Sequence, residues 1–191
     1  MIGFALAAPA HAQVSDPDWP CVQRLVGRLE PGQMWSGPPL PQADAATPEL
    51  QELVRRLIDP KTPLDEVSAK VAAYRDGLPP GEREMQLARL FALSLDWIND
   101  ERDTVIRGIK RYARGQQGLA DRIVAETRAI DGLEAETAPD SVKLEELRSA
   151  RAWDTRIYTD RQKALALVCD QPVQLEQRAF ALARAVQEQL Q

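Results

Sequence analysis

The chain has 191 residues, with 24 basic against 29 acidic side chains and a formal charge of −5. Apolar residues make up 44% and charged residues 28%, which excludes wholesale disorder and fits an ordinary globular composition. No stretch offers the ~20 uncharged apolar residues of a membrane-spanning helix, and a pI near 5.1 argues against nucleic acid as a partner.

Residues 1–12, MIGFALAAPAHA, read as the back part of a secretory signal peptide. An apolar run over 2–8 precedes Ala10-His11-Ala12, an A-x-A cleavage signature that leaves Gln13 as the new N-terminus. The expected location is therefore the periplasm or the exterior, and 13–191 is expected to form a single all-helical domain. His11 is the one histidine, so the mature chain has none. That excludes Ser-His-Asp and Cys-His constellations and the usual zinc and copper sites. No metal or other cofactor is expected, and any catalysis would rest on carboxylates, Lys or Tyr. Two cysteines, Cys21 and Cys169, predict one disulfide in an oxidising compartment.

Twelve of the fourteen prolines lie at or before Pro80, so short elements precede long helices. A first short helix is expected from about Asp18, with Val22, Leu25, Val26 and Leu29 on one face. Residues 30–47 then read as an ordered loop. Thr47 caps a helix that has Pro48 at its first position, with the stripe Leu50, Leu53, Val54, Leu57 and Ile58. Pro60 stops it. Thr62-Pro63 repeats the start signal, with Leu64, Val67, Val71, Tyr74 and Leu78 inward, and Gly77 and Pro79-Pro80 end that helix.

No proline falls between 81 and 138. A seven-residue seam runs through Phe91, Leu95, Ile98, Arg102, Val105, Ile109, Tyr112, Gln116, Leu119, Ile123, Glu126, Ile130 and Leu133. Gly108, Gly115 and Gly118 each cost about 1 kcal/mol inside a helix and predict a kink near 115–118. After Pro139 a helix restarts at Asp140 or Ser141 and is expected to run to Val168 or Cys169, with Leu144, Leu147, Ala150, Ile157, Ala164 and Val168 inward. Pro172 opens a last helix carrying Leu175, Ala179, Leu182, Val186 and Leu190.

A short turn at 137–140 folds the two long helices into an antiparallel hairpin in which facing residue numbers sum to about 276. That rule sends Glu126 to the Arg148/Arg151 region and Tyr112 to Ala164. Segment 85–98 is apolar nearly all round and must be enclosed. The predicted architecture is all-α: a helical-bundle head (13–98 plus 165–191) with a long antiparallel coiled-coil hairpin arm (about 99–164).

The feature most suggestive of binding is a basic band. Arg107, Lys110, Arg111 and Arg114 share one helix face, and the facing rule brings Arg156, Arg161 and Lys163 to a similar level. Such a band docks an acidic partner or an anionic head group; the plainer reading is a solvated flank. Asp96, Asp100 and Asp103, with Glu101, form an opposite acidic stripe, read as solvated surface because one straight helix cannot wrap a cation. Trp19, Pro20, Met34, Trp35 and the PPLP run at 38–41 read as a cover over the head, with a peptide- or partner-binding lip as the alternative. Trp97 and Trp153 read as packing residues.

Asp18-Trp19-Pro20-Cys21-Val22-Gln23, together with Cys169-Asp170-Gln171-Pro172 and Leu175-Glu176-Gln177-Arg178, resembles a family of small secreted proteobacterial helical proteins. The resemblance covers the two ends and the 97–112 region. It implies no activity and assigns no functional residue, and it accords with the two-cysteine pairing.

The function expected from these features is that of a non-enzymatic periplasmic binding or adaptor protein, with another periplasmic protein docked on the basic band. A carboxylate-based hydrolase or lyase acting on a cell-envelope polymer is the alternative, and a structural coiled-coil homodimer is a third reading.

Overall fold

The structure, a computed structural model, describes residues 16–42 and 46–191. The signal-peptide reading at 1–12, and His11 with it, lies outside the described residues. Four α-helices and two 3-10 turns (Pro31–Gln33 and Pro80–Glu82) make up the regular structure, with no strand among the described residues. The protein is all-α.

α1 spans Pro48–Ile58, and its N-terminus forms as the sequence predicts. Pro48 occupies the first turn, and the Leu50 N–H donates to Thr47 Oγ1 at 3.3 Å. Leu50, Val54 and Leu57 are buried. α2 spans Leu64–Asp76 and buries Val67 and Val71, while Leu64 stays half exposed. Thr62 does not cap α2. Its hydroxyl donates instead to the Arg56 carbonyl at 2.7 Å, stitching the α1–α2 turn.

α3 spans Arg83–Glu134, 52 residues and about 78 Å of helix; α4 spans Ser141–Glu188, 48 residues and about 72 Å. Asp140 caps α4 by accepting from the Val142 and Lys143 N–H groups at 3.0 and 3.1 Å. All thirteen predicted seam positions of α3 are buried or partly buried. The facing rule holds as well: Gln116 Nε2 donates to the Tyr158 carbonyl at 3.2 Å, and Arg122 pairs with Asp154 at 3.0 Å. The head core joins Leu29, α1, α2, the first turns of α3 through Ile98 and the last turns of α4 from Ala179 to Val186. Beyond it α3 and α4 continue as a two-helix arm.

Several expectations give way. Residues 18–29 form no helix; Val22 is fully exposed, and this stretch belongs to a non-helical strap laid against α3 and α4. α3 runs through Gly115 and Gly118 without a break, because Gln116 and Leu119 are held in the seam and tertiary packing outweighs glycine's entropy. Pro172 opens no new helix. It sits buried within a continuous α4, since both flanks are packed on α3 and Cys169 is anchored by the disulfide. Ala150 and Ala164 point outward, while Arg151 and Asp154 take partly buried positions. Glu126 does not meet Arg148, which pairs with Glu134 at 2.5 Å; Glu126 Oε2 is buried without a hydrogen-bond partner.

Candidate partner-binding surface

The strap is fixed by side chains from both long helices. Cys21 and Cys169 form the predicted disulfide, with Cα atoms 5.6 Å apart. The guanidinium of Arg102, almost fully buried in the α3–α4 seam, donates to the carbonyls of Pro172 and of Val26, the latter at 2.9 Å, and lies 3.7 Å from the Glu176 carboxylate. Burial pushes its pKa down, with Glu176 acting in the opposite direction. Towards the far end of the head, Gln187 accepts from the Ser36 N–H at 2.7 Å and donates to the Met34 carbonyl at 3.2 Å. Trp35 stacks on Phe91 with centroids 4.6 Å apart and donates its indole N–H to Pro38. The Trp–Pro segment is thus the cover over the core.

At its other end the strap meets the basic band. Lys110 Nζ lies 2.7 Å from Asp16 Oδ2, and Arg114 Nη1 lies 2.6 Å from Asp18 Oδ2. The Lys110 ammonium, aided by the Asp18 N–H, holds the Asp16 carboxyl below its ordinary pKa. Arg107 pairs with Asp103 one turn back. Arg111 is exposed and holds no carboxylate among the described residues.

The seven cations do not form one patch. At 100° per residue Arg161 falls near the α4 seam, and its backbone carbonyl accepts from the Tyr112 hydroxyl at 2.6 Å. Arg156 and Lys163 fall on the opposite side of α4, directed away from α3. Lys163 pairs with Asp160 at 3.2 Å, and Arg156 holds no carboxylate among the described residues. Trp153 shares their outward face and is 64% exposed rather than packed; Leu167, on the same face, is 73% exposed.

The acidic stripe divides similarly. Asp96 binds Arg28 at 2.5 Å, Asp103 binds Arg107, and Asp100 is a loose 3.9 Å from Arg28. Glu101 instead lines a cavity of about 730 Å³ that lies between the α1–α2 turn, α3 and α4. No group of three His, Cys, Asp or Glu side chains among the described residues could hold a metal ion, and no described helix is long and apolar enough to cross a membrane.

Sequence reading missed Asn99, Arg102, Arg178 and Gln187 as anchors. Two signals were present: a cation at a seam position, and polar residues inside otherwise apolar helix faces. Comparison of the chain with protein families, with curated proteins and with solved structures finds no match.

Proposed function

We propose that this chain is a non-enzymatic periplasmic adaptor whose arm docks an acidic segment of another protein on the basic band of α3. One observation carries the reading: the band already binds acid in extended chain, through Asp16 on Lys110 and Asp18 on Arg114. Arg111 and Arg161, exposed and without a carboxylate among the described residues, add two further cations to that chemistry. The A-x-A leader, the disulfide and the resemblance to a secreted family support the location.

The test is affinity capture from periplasmic extract with wild type and with Arg111→Glu plus Arg161→Glu. Neither residue supports the fold, so the variant should melt within about 1 kcal/mol of wild type. A specific partner should be lost from the variant, and its wild-type binding should weaken steeply with salt. Equal capture by both proteins would remove the band from consideration.

A further inference from the structure

The cavity beside α4 is apolar in its walls and acidic at its rim. Ile58, Leu64, Trp97 and Leu175 supply the apolar walls, and Asp59, Asp100 and Glu101 supply three carboxylates. Asp100 and Glu101 hold no close ion pair: Asp100 is 3.9 Å from Arg28, and Glu101 has no cation among the described residues. The Asp59 carboxylate accepts from the Lys61 backbone N–H at 2.8 Å and is partly offset by the nearby Arg178 guanidinium. The one guanidinium in the wall, Arg178, is buried and directed to the carbonyls of Asp59 and Thr62. A fitting occupant presents a large apolar side chain flanked by cations.

The same chain carries that complement. Trp153 and Leu167 are exposed large apolar residues of α4; between them lie Arg156, which holds no carboxylate among the described residues, and Lys163, which pairs with Asp160. Both features belong to one stripe. Trp153, Arg156, Asp160, Lys163 and Leu167 continue into Gln171, Gln174 and Arg178 in steps of three and four, and the last three line the cavity. Steps of that kind keep residues on one helix face.

We infer that this face is the interface of a two-fold homodimer, in which the arm of each copy enters the cavity of the other. Trp153 and Leu175 are each eleven residues from Ala164, on opposite sides, or about 16 Å along the helix. An axis through the exposed Ala164, where a small side chain lets two helices approach, therefore places Trp153 of one copy level with the cavity wall of the other. Arg156 then approaches the acidic rim. Because both contacts are made twice about one axis, the assembly closes at two copies. This goes beyond the adaptor reading and uses the side of the arm away from Arg111.

Sedimentation equilibrium tests it. Wild type at about 100 μM should show twice the chain mass, with a dissociation constant below that concentration. Arg156→Glu reverses the arm's charge at the rim, and Asp100→Lys with Glu101→Lys reverses the rim. Each variant alone should dissociate at least about tenfold more readily, because like charges then face each other. Mixed one to one, they should recover the dimer, since the reversed arm meets the reversed rim and the two native surfaces meet each other. The Arg111→Glu plus Arg161→Glu variant should dimerise as wild type does, which separates failure here from failure of the adaptor reading. A monomeric wild type at about 100 μM, a dimer indifferent to both reversals, or a mixture that stays monomeric while both variants retain helical circular dichroism would each overturn the proposal.

Discussion

Asn99 on α3 forms a closed pair of hydrogen bonds with the backbone of Leu29 on the strap: the Leu29 N–H donates to Oδ1 at 2.7 Å, and Nδ2 donates to the Leu29 carbonyl at 3.1 Å. Both residues are buried. Replacing Asn99 by Leu leaves two buried backbone groups unsatisfied, and each such group costs about 1–3 kcal/mol. Denaturant unfolding of Asn99→Leu should show a loss of at least about 2 kcal/mol. A loss no larger than that of an exposed substitution would show that the strap is not held there.

Arg102 is the second anchor. Arg102→Met keeps the volume of the side chain and removes the donors to Val26 and Pro172, leaving Glu176 without its cation. The expected cost is about 2–4 kcal/mol, from carbonyls left without their donor at about 1–3 kcal/mol each, since Glu176 stays partly solvated. Arg102→Lys should recover only part of it, because an ammonium cannot reach both carbonyls as the planar fork does. Equal stability of the Lys and Met variants would contradict this account.

The disulfide closes a sequence separation of 148 residues. Chain-entropy arithmetic puts its contribution at about 5 kcal/mol as an upper figure. Reduction, or Cys21→Ser with Cys169→Ser, should lower Tm by several degrees and speed tryptic cleavage of the loosened strap at the surface residues Arg24 and Arg28 while the arm stays resistant. Unchanged cleavage at those arginines would mean that the strap is secured without it.

Acid should release the Asp16 contact at the arm end of the strap only below the ordinary Asp value. The Lys110 ammonium lowers the Asp16 pKa, so the folded value lies below the unfolded one. The resulting stabilisation is present above the unfolded value and disappears as pH falls through the folded one. The contact should therefore persist through neutral and mildly acid solution and dissolve only below the ordinary Asp value of about 3.9. Carboxyl NMR of Asp16 measures this directly; titration at or above the ordinary value would remove the ion pair from the account.

The long helices were legible because their signals are repetitive. A seam such as Ile109, Tyr112, Gln116 and Leu119 repeats every turn, so one ambiguous residue cannot shift the register, and the same register located the Arg122–Asp154 pair. Signals carried by single residues misled. Ala150 and Ala164 fit a buried or an exposed site equally well, and Pro172 ends a helix only where tertiary packing does not already hold both sides of it. Val22, Leu25 and Val26 have helical spacing, but the strap's backbone gains its partners from Arg102 and Asn99, residues seventy or more positions away. Local pattern contains no trace of such bonds. Trp153 was read as packing because tryptophan usually is; its exposure follows from the phase of α4, which Arg151 and Asp154 set.

The link between Cys21 and Cys169 also turns most of the molecule into a closed covalent circuit, with α1, α2, α3 and the arm inside it and the segment before Cys21 and the last turns of α4 outside. A protease that cuts once anywhere in the circuit opens it without detaching a fragment. The exposed connection between α3 and α4 offers such a place, and a cut there yields two pieces that remain joined by sulfur and paired along the whole arm. Damage of that kind changes the chain count without changing the mass in solution. The cross-link thereby acts as tolerance to nicking as well as resistance to unfolding.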